Sequence, residues 1–284
     1  MVHRRSGKVP DHALPQHTDN TLERLRSRLA PAGLDLVVPF SLEWCTGNEQ
    51  GSSLAASLTG LQDDALGVLI GNSRKLWQPF LAEYKCSEEL QASDHPLDTY
   101  IENQLLTVMS TDLRGLRWRV CWANGHQATS GQDSPMAMQR LAHLIGFAYY
   151  NSTSHLCLHQ KFGPWFSMRA VIIFEGLSYG GPCPQQLKCP LSAQNLAYVK
   201  MAVRSARTSM DADESRARRP EDASAPPPPQ HWQKWAAVRE ATCPGNPWKF
   251  DKRQLEYHYT QSASVLRRAI SISRRSLDGH YNTN

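Results

Sequence analysis

A chain of 284 residues with 40% hydrophobic content is long enough for one large domain with a real core. No run approaches the roughly 18–20 apolar residues of a membrane span, and the basic, non-apolar start Met1–Pro10 carries no secretory signal, so the expectation is a soluble cytoplasmic protein with no membrane partner. The net charge of +5 comes from arginines that are not interleaved with aromatics along one element, which argues against nucleic acid, and the 7 single cysteines without a C-x-x-C pair argue against a disulfide framework or a bound metal.

Residues 1–19 are polar and are expected to be disordered. Asn20-Thr21-Leu22-Glu23 reads as a capping box opening a helix with Leu22, Leu25 and Leu29 on one face, ended by Pro31 and Gly33. Leu34–Trp44 predicts a strand, residues 46–64 a Gly/Ser-rich connection, Ala65–Ile70 a buried strand, and residues 74–85 a helix. Asp94-His95-Pro96 opens a further helix continued by Leu97, Tyr100, Ile101, Leu105 and Val108. Arg117–Ala123 is β-like, residues 124–134 form a polar loop, and Ser134-Pro135 announces a helix running to about Asn151. Strands near 155–159 and 165–174 follow, then a helix over Leu191–Arg204.

Residues 207–230 mix charges with Ser and Ala and end in Pro226–Pro229. Such a composition buries too little apolar surface to offset chain entropy, so a disordered insertion is predicted. A last helix over residues 251–273 and a tail, 276–284, complete the chain. Helices interleaved with strands give a layered α/β or α+β domain over 20–206, completed by 231–275.

Some motifs fail on context. Gly176-Leu177-Ser178-Tyr179-Gly180 matches a nucleophile elbow, but Pro182 and Pro184 stand where the elbow needs a helix. Neither a phosphate-binding nor a dinucleotide-binding glycine loop occurs. Cys183 and Cys189 are the closest cysteine pair, and they lack the tight spacing of a zinc site. On the helix after Pro135, Gln139, His143, Phe147 and Tyr150 form a stripe at i, i+4, i+8, i+11, which suits an exposed amphipathic face or a pocket wall. His143 reads as a ligand contact or as a satisfied core histidine. Arg169 precedes a wholly apolar stretch and needs an anionic partner, with Glu175 and Glu240 the candidates within the chain.

The most informative stretch is His155-Leu-Cys157-Leu-His159, then Phe162-Gly163-Pro-Trp165-Phe-Ser-Met168-Arg169 and the apolar run to Phe174. With Gln139-Arg-Leu-Ala-His143-Leu-Ile-Gly146-Phe-Ala-Tyr149-Tyr150 upstream, it resembles the MMACHC family, the cobalamin-trafficking proteins of the C complementation type. Weaker echoes occur in the same order at Pro39-Phe40 with Trp44, at Leu66–Leu81, and at His231-Trp232-Gln-Lys-Trp235 leading to Arg239. Two departures, the short Asn151–Ser154 connection and the Gln127–Ser134 loop, fall where the family makes dimer contacts.

The resemblance implies an α+β, nitroreductase-like and flavin-reductase-related fold with a mainly antiparallel sheet flanked by helices. It implies a cytosolic enzyme and chaperone that binds cobalamin base-off and removes its upper ligand. Alkylcobalamins would be dealkylated by glutathione, and cyanocobalamin decyanated with electrons from a reduced flavin (FMN or FAD) or a thiol system. An MMADHC-like adaptor is the implied protein partner. Cobalamin contacts carried over are Trp122, Met136, Ala137, Met138, Gln139, His143, Tyr150, Cys157 and Met168, the methionines moulding to the corrin and the polar groups meeting its amide arms. Cys157 reads as packing rather than as a nucleophile, since free cysteines are commonly buried and inert. Arg169 and Arg239 would hold the carboxylates of glutathione by their forked guanidinium groups, with Arg267 as a third. Arg268 competes with Arg267, and Val265 sits at the ungapped match. Trp165, Trp232 and Trp235 are either core or a cap over the ring. The alternatives are a flavin-dependent reductase of the same fold and a non-catalytic cobalamin carrier.

Overall fold

The structure, a computed structural model, describes residues 14–46, 62–123, 138–216 and 231–278. Helix α1, Leu14–Leu29, buries Leu22, Leu25 and Leu29 as its periodicity demands. It begins well before the predicted capping box, so Thr21 lies inside the helix and turns its hydroxyl back to the carbonyl of His17 (2.8 Å). Strand β1, Leu36–Ser41, and the short α2, Glu43–Thr46, follow.

Strand β2, Ala65–Asn72, is buried at every position, which its uninterrupted apolar run anticipates for a central strand covered on both faces. A 3-10 turn over Arg74–Leu76, capped by the Ser73 hydroxyl, leads into α3, Trp77–Cys86. Ser87 caps a short α4, Glu88–Ala92, which periodicity does not announce. Helix α5, Pro96–Thr111, starts at the proline as expected, and β3 covers Arg117–Trp122.

The helix expected over 135–151 ends earlier. Its described part, α6, is Met138–Leu144. Gly146 stops it in the left-handed region (φ 71°), where the amide of Phe147 returns to the carbonyl of Ala142 (2.9 Å). The chain then forms a hairpin of β4, Tyr149–Asn151, and β5, Leu156–Leu158, so Tyr150 lies on a strand and not on the helix stripe.

Strand β6, Ser167–Ser178, is followed by an irregular stretch to Ser192, without the helix a nucleophile elbow requires. Helix α7, Ala193–Arg216, runs into the segment expected to be disordered, so residues 207–216 are corrected to helix, and 217–230 lie outside the described residues. Helix α8 is Trp232–Thr242. The single last helix resolves into α9, Lys252–Thr260, capped by Asp251, and α10, Ala263–Asp278, broken where Gln261 adopts φ 50°.

Strands β1-β2-β6-β3 form one sheet in that order with every neighbour antiparallel. This is the expected α+β architecture. One face buries α1, α3, α5, α10 and Tyr257 of α9 in the larger core. The other face buries α2, α6 and the hairpin strand β5 around Phe40, Leu69, Leu141 and Ile173. A third cluster packs Trp165, just before β6, against Phe250 and Leu255, which ties α9 to the start of that strand.

Candidate functional site

The start of β6 joins both faces of the sheet. Ala170, Ile172 and Phe174 enter the larger core, whereas Val171 and Ile173 enter the smaller one. Strict alternation would continue backwards with Arg169 on the smaller-core face and Met168 on the larger. The register instead shifts between Ile70, opposite Ala170, and Gly71, opposite Met168, leaving Arg169 as the extra residue of a bulge. A bulge re-aims side chains in this way. Met168 therefore packs on the smaller core, while Arg169 reaches Asn72 and Asp98 on the other side. Gly71 makes this possible, since a Cβ there would lie 2.5 Å from the Ser167 carbonyl oxygen.

On the Met168 side, Met138 and Cys157 are buried, and Tyr150, Phe147 and Trp44 pack partly exposed against the same cluster. The Cys157 thiol donates to the backbone carbonyl of Gln139 (3.6 Å), joining β5 to α6. Burial pushes that thiol up to about 12, and Cys45 in the same cluster likewise, so neither supplies a thiolate near neutral pH. The backbone amide of Tyr150 faces His143 Nδ1 at 3.4 Å, which brings these two expected residues together across the turn rather than along a helix. The Tyr150 hydroxyl meets His155 Nδ1 (3.0 Å), and Arg207 of α7 lies 3.3 Å from that ring's Nε2. Because an arginine only donates, Nε2 accepts, and the Nδ1 proton points to Tyr150. An apolar floor with a few directed polar groups suits a large ring with hydrogen-bonding arms.

On the Arg169 side, the guanidinium donates to Asn72 Oδ1 (2.7 Å) and lies 3.8 Å from Asp98 Oδ1. Asn72 is held in turn by donating to the Ser73 carbonyl (2.9 Å). Burial disfavours the charge on Arg169, and Asp98 only partly offsets that. Neither Glu175 nor Glu240 is its partner: Glu175 pairs with Arg117 and Arg119, and Glu240 with Lys249. A small pocket, partly open to solvent, is lined by Arg169, Asn72, Ser167, Gln254, Tyr257 and His258, with an apolar wall. The buried Ser167 hydroxyl has no hydrogen-bond partner among the described residues.

Beside this pocket, Arg239 of α8 donates to the Tyr259 hydroxyl (2.9 Å), the Pro164 carbonyl and His258 Nε2 (3.0 Å). These are neutral acceptors. His258 titrates well below its ordinary range because burial, then Arg239, then Arg169 oppose its charge. The group thus carries two guanidinium charges against one carboxylate at 3.8 Å, an arrangement suited to an incoming anion.

Other expected residues are placed elsewhere. Trp122 packs against the larger core, on the opposite sheet face from Cys157. Gln139 is exposed, and Met136 and Ala137 lie outside the described residues. Arg267 is exposed on α10 and does not line the pocket, Arg268 pairs with Glu256 (2.6 Å), and Val265 is core. Trp165 is fully buried, Trp232 stacks on Tyr259, and Trp235 packs between α7 and α8. Sequence reasoning missed Asn72, Asp98 and His258. Asp98 and His258 sit in ordinary-looking helical segments, and only the polar Asn72 ending an apolar strand gave any signal.

No protein-family model matches the chain. A cyanocobalamin reductase / alkylcobalamin dealkylase of Danio rerio is 21% identical over 191 residues, covering 60% of this chain and 71% of that protein. Among solved structures, the fold is similar to a C. elegans B12-trafficking protein CblC, a human MMACHC homologue, with a TM-score of 0.63 at 14% identity over 89% of this chain and 96% of that one. The sequence match and the shared fold point to the same family that the motifs around Cys157 and Arg169 resemble. Among the described residues, no helix is long and apolar enough to cross a membrane.

Proposed function

We propose that this protein binds cobalamin base-off against the Met138–Cys157–Met168 face and removes its upper ligand, with glutathione held by the arginine pocket. The observation that carries this is the bulge at Arg169, which sets an apolar, methionine-bearing face and a cationic pocket at the same strand end, on opposite faces of the sheet. The Danio rerio relative, named a cyanocobalamin reductase / alkylcobalamin dealkylase, supports the same reading.

In dealkylation the glutathione thiol loses its proton to solvent, and the thiolate attacks the cobalt-bound carbon. The new bond is carbon–sulfur, and the cobalt–carbon electron pair stays on cobalt as cob(I)alamin. The protein contributes position and electrostatics, since holding two reactants together removes much of the entropic cost of encounter. Arg169 and Arg239 would anchor the carboxylates, and the same positive field favours the thiolate. The high pKa of Cys157 fits an external thiol as the nucleophile. For cyanocobalamin, one electron from a reduced flavin or thiol system would leave cob(II)alamin and free cyanide. Displacing the lower base helps there, because axial ligation tunes the metal's potential. Passing the product to an MMADHC-like adaptor belongs to the same proposal.

The test is spectroscopic. Binding of cyanocobalamin should shift its visible spectrum as the lower base leaves, and methylcobalamin with glutathione should yield S-methylglutathione by mass spectrometry. A shift without that thioether would leave a carrier. No cobalamin binding, with stoichiometric flavin uptake, would leave a flavin reductase.

A further inference from the structure

We propose that His258 is a positioning residue of the anion pocket: its Nε2 holds the Arg239 guanidinium in place for a carboxylate of the bound tripeptide, so that anion binding weakens in acid. This rests on the reading that the pocket takes glutathione.

The hydrogen-bond inventory decides the ring's state. Arg239 lies 3.0 Å from His258 Nε2, and a guanidinium has donors only. Nε2 must therefore accept, which places the single ring proton on Nδ1 and makes the imidazole neutral. Arg239 is fixed by three acceptors that converge from different parts of the fold. The Pro164 carbonyl precedes β6, the Tyr259 hydroxyl is on α9, and His258 Nε2 comes from α9 within the pocket lining. A forked donor held by fewer acceptors has more rotational freedom to lose when a carboxylate arrives, and that loss weakens binding.

Protonating Nε2 replaces an acceptor with a donor. Two cations would then face each other at hydrogen-bond distance, with Arg169 of β6 adding a third positive charge. On the other elements packed here, Asp98 of α5 is directed to Arg169, burial raises the Tyr257 phenol of α9, and the Tyr259 hydroxyl already accepts from Arg239. Phe250 meets the imidazole edge-on (5.8 Å) and offers it no acceptor. The expected consequence is that Arg239 leaves its seat when His258 takes up a proton.

Calorimetric titration of the full-length protein with S-methylglutathione, from roughly pH 8 down to pH 5, reads this directly. The thioether has no thiol to titrate, and its carboxylates stay ionised over that range. Because burial and the two arginines hold His258 well below the ordinary histidine range, wild-type affinity should stay level through that range and fall only towards the acid end of the scan. His258→Leu should weaken binding by about tenfold at neutral pH. His258→Gln, whose amide oxygen can stand near the Nε2 position, should recover most of that loss and show no pH dependence. If His258→Leu does not fold, judged by its melting curve, the flat profile of His258→Gln decides alone. Equal affinity in His258→Leu and wild type, or the same acid loss in His258→Gln, would overturn the positioning role while leaving the pocket intact. Absence of binding by the wild type at every pH would overturn the glutathione reading and this inference together.

Discussion

Met168 and Arg169 are adjacent in the chain, yet the first packs with Met138 and Cys157 while the second turns to the opposite face of the sheet, to Asn72 and Asp98. The bulge between them turns one strand end into two kinds of surface. Its weak point is Gly71, where any side chain meets the Ser167 carbonyl. Gly71→Ala should cost about 1–3 kcal/mol through that overlap. In urea unfolding the midpoint should drop, and S-methylglutathione binding should weaken as the bulge relaxes. An unchanged midpoint would show that the strand shifts without strain.

Arg169→Gln should reduce glutathione-dependent dealkylation far more than cobalamin binding. Losing one charge-assisted contact costs about 1.5–3 kcal/mol, roughly a ten- to hundredfold effect. His143→Ala should act in the reverse order and weaken cobalamin binding first, because His143 sits against Tyr150 on the other face. Arg169 also pairs with Asp98, so the melting temperature belongs beside each rate. Unchanged glutathione dependence in Arg169→Gln would reduce that residue to a structural ion pair.

Cys157→Ala should keep dealkylation within a few fold of wild type, because a thiol raised to about 12 is not the attacking group. Labelling with iodoacetamide near neutral pH should spare Cys157 and Cys45 and modify the exposed Cys86, Cys183 and Cys189. Loss of turnover in Cys157→Ala with binding retained would instead make this cysteine a reactant.

The same two thiols set an alkaline limit. Both are raised to about 12 in the fold, while an unfolded cysteine titrates near ~8.5. Their contribution to stability is complete below the unfolded value and declines as pH rises from there towards 12. Unfolding free energy should therefore fall through that window, and Cys45→Ala with Cys157→Ala should flatten the fall. A profile identical in the double variant would assign the alkaline loss to other groups.

Removing residues 217–230 should leave cobalamin binding unchanged, since their composition offers no apolar face and ends in Pro226–Pro229. The cut must spare Arg207, which reaches the His155 ring supporting Tyr150. A loss of binding after the shorter deletion would reveal a functional loop.

The sequence by itself determined the elements whose signals are local. The apolar run of β2 and the proline-opened α5 stand where their residues place them. The run from Cys157 to Phe174 also carried the family resemblance, because its residue types and spacing survive without knowledge of their contacts. Tertiary structure alone decided which layer each site residue faces. Gly146 cut the helix stripe and moved Tyr150 to a strand, a change that periodicity cannot register. The bulge at Arg169 depends on how closely Ser167 approaches Gly71, and Arg169 finds Asn72 at a separation of 97 positions. Alternation assigns faces only while the register is unbroken. Register belongs to two strands at once, so the cationic pocket and its histidine exist only once β2, β6, α8 and α9 have met.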